Sequence, residues 1–180
     1  MTQRSTDLRI RRMTYSALYL AVALILPFLT GGIPQIGAML SPMHIPALLC
    51  GFVCGWQYGL AVGAIAPLLR STLFGMPPLY PTAIAMTFEL AVYGAAAGLL
   101  YRHLPRKPWS VYVTLILAMI LGRVTWGLAS YVLLQLQSEI FTPAMFISGA
   151  VLSAVPGIIL HLLLIPVIVM ALNKVNLLLN

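Results

Sequence analysis

The most restrictive feature of this sequence is a run of 57 residues, from Met13 to Leu69, that contains no Asp, Glu, Lys or Arg. Over the whole chain of 180 residues, 61% are apolar and only 7% are charged. A typical soluble domain is about 25% charged. So few charges could not cover the surface of a soluble fold of this length, and the composition therefore predicts an integral membrane protein.

The length limits the number of membrane spans. A membrane helix needs about 20 apolar residues, so the chain has room for roughly six. The apolar stretches are continuous and do not alternate, which disfavours a transmembrane β-barrel. Glycines, prolines and polar links divide the chain into predicted helices over approximately 13–30, 44–56, 59–74, 82–101, 111–134 and 143–172. The prediction is thus an all-α, six-helix bundle that forms one transmembrane domain over residues 1–180. Its first helix is expected to be retained, not cleaved as a signal peptide, and Pro156-Gly157 is expected to kink the last helix.

The basic residues predict the orientation of this bundle. They lie before the first helix (Arg4, Arg9, Arg11, Arg12), between the fourth and fifth (Arg102, Arg106, Lys107) and at the end of the last (Lys174). Cytoplasmic loops of membrane proteins carry such an excess of Lys and Arg. Both termini are therefore predicted to be cytoplasmic, with residues 1–12 as a basic cytoplasmic segment. The net charge of +7 is spread over flanking positions and does not indicate nucleic-acid binding.

Three ionisable residues, Arg70, Glu89 and Arg123, fall inside predicted spans. Each costs about 2.5–3.5 kcal/mol at the centre of a membrane helix, so each should face protein or a wet cavity. One interpretation is an internal ion pair that joins helices. However, one carboxylate neutralises only one guanidinium, and a ligand with an anionic or strongly polar group would supply a partner for the other.

Helical spacing adds candidates to this group. Trp126 and Ser130 lie three and seven residues after Arg123, and Tyr93 lies four after Glu89, so they share faces with the charges. An aromatic ring beside a charge is a common lining for a heterocyclic ligand. Packing between helices is an equally good interpretation of Trp126 and Tyr93.

Signals for an enzyme or a metal site are weak. The only histidine after Ser148 is His161, which the predicted last helix places about 20 Å away from it. Two carboxylates that could act together in acid–base catalysis are missing, and neither lysine follows a glycine as a Walker A motif requires. The histidines are expected at different depths, and Cys50 and Cys54 are interpreted as packing residues, so neither a metal nor a cofactor is expected.

Several segments resemble the substrate-binding S components of energy-coupling-factor (ECF) vitamin transporters. They are the run Gly37-Ala38-Met39-Leu40-Ser41-Pro42-Met43-His44-Ile45-Pro46, the segment Pro67-Leu68-Leu69-Arg70 and the pair Gly122-Arg123. The resemblance extends to size, six helices, a long first outer loop and inner termini. It implies a non-enzymatic subunit in the plasma membrane of a prokaryote, which captures a vitamin on the outer side. A separate transmembrane coupling protein and two ATPase subunits would then drive uptake.

The resemblance also implies residue roles. In the family an Ala-x-x-x-Ala pattern on the first helix meets the coupling protein, and Ala17 and Ala21 match it. The pocket would lie beneath the first outer loop and among helices four to six. The implied substrate-binding candidates are Gln35, His44, Arg70, Glu89, Tyr93, Arg123, Trp126 and Ser130.

The substrate and two other functions stay open at this stage. Opposite charges suit a zwitterionic pyridine of the vitamin B6 type, which is slightly preferred, whereas the surplus arginine suits pantothenate. The alternatives are a stand-alone transporter or channel for a small polar solute, and a ligand-free structural subunit of a membrane complex.

Overall fold

A computed structural model describes residues 2–30, 37 and 39–180, and the described residues fold into α-helices and short helical turns. The α-helices are α1 (Thr2–Ile25), α2 (His44–Cys54), α3 (Trp56–Phe74), α4 (Ile84–His103), α5 (Pro108–Gln135), α6 (Pro143–Ile147) and α7 (Val155–Lys174). A 3-10 turn, Leu26–Thr30, extends α1. Wider π-helical turns, Leu79–Ala83 and Ser148–Leu152, precede α4 and α7.

Four segments of the described chain are long and apolar enough to cross a membrane: Thr6–Leu29, Leu79–His103, Pro108–Gln135 and Val155–Lys174. The expected all-helical architecture is therefore confirmed, whereas the count of six spans and the orientation of the termini stay predictions. The basic N-terminal segment is itself helical, because α1 begins at Thr2 and not near Met13.

The predicted last helix is wrong in one respect, because it is broken into α6 and α7. Pro156 has no N–H to donate to the carbonyl four residues earlier, and its ring crowds that carbonyl. The helical path is interrupted at residues 148–154, one turn before the proline and not at it. Pro156 then lies in the first turn of α7, where a missing N–H costs nothing.

Helix α2 forms the centre of the bundle, and every one of its residues is buried. It packs against α1, α3, α4 and α7. On its surface, Phe52 lies edge-on to Tyr101 of α4, with ring centroids 5.1 Å apart. A short helix that is apolar on all sides is typical of a buried core element.

Helices α3 and α4 pack unusually closely because glycines line their contact. A Cβ atom at Gly63 would overlap the backbone of Leu90, and one at Gly59 would lie 2.6 Å from the carbonyl oxygen of Gly94. Small residues allow such an approach between helices in a membrane. The contact fixes the position of Glu89, which precedes Leu90.

The N-terminal helix, the basic loop and the C-terminal segment meet at one end of the bundle, which we call the basic end. The Arg12 guanidinium donates to the carbonyl of Leu179, with Nε 2.9 Å from the oxygen. The N–H of Leu179 donates to the Val53 carbonyl at 2.8 Å, and Arg106 donates to the Asn180 carbonyl at 2.7 Å. These contacts fit the prediction that the basic segments lie on one side of the membrane.

Candidate functional site

A buried group of charged and polar side chains lies between α2, α4 and α5. Arg123 Nη1 is 3.0 Å from Glu89 Oε1, and His44 Nε2 is 3.4 Å from the same oxygen. The Glu89 side chain is 2% exposed and that of Arg123 is 17% exposed. The sequence left open whether Glu89 forms an internal ion pair and with which arginine. In the structure Glu89 is paired with Arg123, and their two formal charges cancel.

Tyr93 completes one side of this group. Its ring centroid is 5.2 Å from that of His44, and its side chain reaches the Glu89 carboxylate one turn earlier on α4. A Cβ atom at Gly122 would overlap the Tyr93 ring, so the ring lies directly on the α5 backbone beside Arg123. Gly122 therefore provides the space in which Tyr93, Glu89 and Arg123 come together.

His161 of α7 also belongs to this group, which corrects the expectation that the histidines lie at different depths. The rings of His44 and His161 stack at 6.0 Å. The expectation failed because it counted His161 from Pro143, whereas α7 begins at Val155. His161 lies 13 residues before the end of α7 and Glu89 lies 14 before the end of α4, so both are about 20 Å from the basic end.

Several polar atoms of this group have no hydrogen-bond partner among the described residues. They are His44 Nδ1 and Nε2, Glu89 Oε1, Arg123 Nε and His161 Nε2, and Thr114 Oγ1 is in the same state. The approaches of His44 and Arg123 to Glu89 are therefore close contacts without hydrogen-bond alignment. Each unsatisfied buried group costs about 1–3 kcal/mol. A cluster of such unsatisfied polar atoms is typical of a site that binds water or a polar ligand.

Arg70 lies elsewhere. Its guanidinium donates to the Leu24 carbonyl and lies over the rings of Phe28 and Phe74, 4.7 and 5.4 Å from their centroids. Gly63, which packs on Leu90, is seven residues earlier on α3, so Arg70 is about 10 Å further from the basic end. Among the described residues, Arg123 and His44 are within ion-pair distance of Glu89, and Arg70 is not.

Trp126 and Ser130 continue the face of α5 beyond Arg123. Trp126 packs against Phe141 and Phe146, with centroid distances of 6.2 and 6.4 Å, and its ring lies against Gly149. Ser130 is buried. These side chains border the polar group on the side away from the basic end. Gln35, the remaining sequence candidate, lies outside the described residues.

Ala17 and Ala21 are exposed along α1. The opposite face of the helix is directed into the bundle, where Ser16 accepts a hydrogen bond from Cys50 and Ala23 is fully buried. Against the described residues, the Ala-x-x-x-Ala pattern is therefore not used for packing, and it leaves a face of small side chains that another helix could approach.

The polar group can hold a small molecule through opposite charges and hydrogen bonds, but it lacks the arrangement of a metal centre. Within the described part of the chain, no three His, Cys, Asp or Glu side chains are placed to hold a metal ion.

Comparison with known proteins identifies the family. A family model described as the ECF transporter substrate-specific component matches residues 11–172. Neither the curated proteins nor the solved structures include a match. The matched range contains every residue of the polar group, and also Ala17 and Ala21. The chain thus belongs to the family of ECF transporter substrate-specific components, which are multi-pass membrane subunits that bind a small-molecule substrate for transport.

Proposed function

We propose that this protein captures a small water-soluble vitamin, of the vitamin B6 (pyridoxine) type in the first instance and pantothenate in the second. The observation that carries the proposal is the buried Glu89–Arg123 pair, 3.0 Å apart, surrounded by polar atoms without partners among the described residues. In a bilayer, buried charges are rare and generally mark substrate or ion pathways.

The charge balance favours the B6 type over pantothenate. Glu89 and Arg123 together carry no net charge, and a zwitterionic or neutral pyridine adds none. Pantothenate brings a full negative charge, which would require a second free cation. Arg70 does not supply it, because its guanidinium is engaged by the Leu24 carbonyl and two phenyl rings.

The proposed ligand contacts are His44, Glu89, Tyr93 and Arg123, with Trp126 and Ser130 at the border. An aromatic ring next to an ion pair suits a flat heterocycle. The heterocycle can stack on the aromatic ring, and its polar edge can form hydrogen bonds with the charged side chains. Gln35 remains a candidate through its place in the first loop. We assign Arg70 a structural role, joining the end of α1 to α3.

The proposed partners are a transmembrane coupling protein and two ATPase subunits, which approach the exposed face of Ala17 and Ala21. We further propose that the protein lies in the plasma membrane of a prokaryote with its basic end in the cytoplasm. The polar group then lies in the outer half of the bundle, about 20 Å from the cytoplasmic end. Ligand capture and coupling thus use different surfaces.

A thermal-shift screen of the detergent-purified protein against water-soluble vitamins tests substrate binding. A ligand at about 100 times its dissociation constant stabilises the folded state by roughly 2.7 kcal/mol, or about 5–10 °C for a chain of this size. We expect pyridoxine to give this shift and Arg123→Ala and Glu89→Gln to abolish it. Arg102→Ala, at an exposed arginine in the last turn of α4, is the matched control. No shift with any vitamin would refute the proposal and favour a ligand-free structural subunit.

Reconstitution in liposomes tests the division of labour. With the coupling protein and ATPases present, uptake should require ATP, and Ala17→Trp together with Ala21→Trp should abolish uptake while leaving pyridoxine affinity unchanged. Ala61→Trp places the same bulk at an exposed alanine of α3 and should leave uptake intact. Uptake by this protein alone, without nucleotide, would instead establish the stand-alone transporter.

A further inference from the structure

His161 occupies a position that the proposed ligand contacts do not yet explain. It is 2% exposed, it lies on α7, and its ring stacks on that of His44 within the polar group. Its two ring nitrogens face different surroundings. One hydrogen-bonds to the backbone of Ser41, and the other, Nε2, has no partner among the described residues.

The backbone contact determines which nitrogen carries the proton. The N–H of Ser41 already donates to the Gly37 carbonyl at 2.9 Å. The group of Ser41 that the imidazole reaches is therefore the carbonyl oxygen, which can only accept. In a neutral imidazole one nitrogen is a donor and the other an acceptor. The nitrogen facing Ser41 is thus the donor, and Nε2 of His161 is a buried acceptor.

The surroundings of Nε2 restrict what can satisfy it. An acceptor needs a hydroxyl or N–H donor, and a neutral polar molecule of pyridoxine type carries hydroxyl groups. In the same polar group, Arg123 Nε is a donor without a partner in the described chain. A ligand that brings both a donor and an acceptor would satisfy the two atoms together.

We infer that His161 is a further substrate-binding residue, whose Nε2 accepts a hydrogen bond from a hydroxyl or N–H group of the ligand while its other nitrogen holds the Ser41 carbonyl. The inference rests on the proposed function and extends it in two ways. It names the residue and the atom through which α7 contacts the ligand, and it links that contact to the carbonyl of Ser41, in the described end of the segment between α1 and α2. Gly157, one turn earlier on α7, reinforces this connection, because a Cβ there would lie 2.7 Å from the Met39 carbonyl oxygen.

Two substitutions separate the two nitrogens. The amide nitrogen of Asn lies about where the nearer ring nitrogen of His lies, so His161→Asn keeps the donor to Ser41 and removes Nε2. In His161→Gln the longer side chain places its amide near the position of Nε2, but it loses the donor to the Ser41 carbonyl. The matched control is His103→Asn, at an exposed histidine near the basic end.

Pyridoxine affinity and ligand-free melting temperature are measured for the wild type and these three variants. His161→Asn should weaken binding by about 5- to 100-fold, as expected when a buried ligand group loses its partner, with a melting temperature close to that of the wild type. His161→Gln should bind more tightly than His161→Asn, and His103→Asn should match the wild type. In protein labelled with 15N-histidine, the Nε2 signal that is missing from His161→Asn should shift when pyridoxine is added.

The outcomes distinguish this inference from the proposal on which it rests. If the wild type binds pyridoxine but His161→Asn binds it equally well, or if the Nε2 signal does not move, the role of His161 is overturned and vitamin binding stands. If the wild type binds no vitamin, both proposals fall.

Discussion

Removing Arg123 should destabilise the ligand-free protein more than removing Glu89, because the two charges are buried unequally. Without Arg123, the Glu89 carboxylate, which is 2% exposed in the wild type, loses its guanidinium partner and keeps the neutral Tyr93 hydroxyl and the unaligned His44, 3.4 Å away. Breaking a buried pair in this way costs about 3–5 kcal/mol. Since the Arg123 side chain is 17% exposed and its partial hydration weakens the pair, we expect the lower end, about 3 kcal/mol, or about 6–12 °C in melting temperature.

The converse change, Glu89→Gln, leaves a guanidinium that can turn its head toward the exposed side. We expect a cost of about 1–2 kcal/mol. The double variant Arg123→Met with Glu89→Gln removes both charges, so it should be less destabilised than the sum of the two single changes. Such an interaction energy is the signature of side chains in direct contact.

The assay is a melting curve of the detergent-purified, ligand-free protein for the wild type, Arg123→Met, Glu89→Gln and the double variant. Arg102→Met reports the effect of losing an arginine at an exposed position. Additive effects of the two single changes would mean that Glu89 and Arg123 do not interact in the native state, and the argument from a buried ion pair would fail.

Three further changes test other parts of the bundle. Arg70→Ala should lower the melting temperature without changing pyridoxine affinity, and a loss of affinity would place Arg70 in the ligand site after all. Gly122→Ala should lower both the melting temperature and pyridoxine affinity, because the new methyl group meets the Tyr93 ring. Adding Tyr93→Leu should restore the melting temperature but not the affinity. If the melting temperature is not restored, the clash lies elsewhere. Arg12→Ala should lower the free energy of unfolding by about 1–3 kcal/mol, because it releases the C-terminal segment. Arg11→Ala, at an exposed site, should melt like the wild type. If both variants melt at the same temperature, the segment does not depend on the Arg12 contact.

The sequence predicts the pairing at the site to the extent that helical spacing determines it. Glu89 and Tyr93 are one turn apart, so any helix that buries one buries the other on the same face. Burying a carboxylate in a bilayer then requires a cation, and the sequence offers two inside predicted spans, Arg70 and Arg123. Local periodicity and the high cost of an unpaired charge thus predict that Glu89 has a cationic partner, whereas the choice of Arg123 over Arg70 comes from the structure.

The positions of Arg70 and His161 could not be predicted in the same way, since both depend on where chain segments bend. Arg70 finds its partners where the end of α1 turns past α3, and no spacing rule gives the path of that turn. His161 joins the group because α7 begins at Val155 and not at Pro143. Pro156 was the available signal: a proline inside an apolar run marks a helix start as readily as a kink.

The contacts that hold the chain together differ between the basic end and the level of the polar group, and the difference concerns how ligand binding is coupled to the fold. At the basic end, backbone carbonyls of the C-terminal segment are bound by Arg12 and Arg106, independently of any ligand. At the level of the polar group, His161 holds the Ser41 carbonyl with one nitrogen and offers the other to the ligand. A ligand bound to Nε2 favours the tautomer that also donates to Ser41, so ligand binding and the contact between His161 and the Ser41 carbonyl stabilise each other. By thermodynamic reciprocity, the factor by which the ligand strengthens this contact is the factor by which the contact strengthens ligand binding, so a variant that breaks the contact should weaken the ligand by up to that factor.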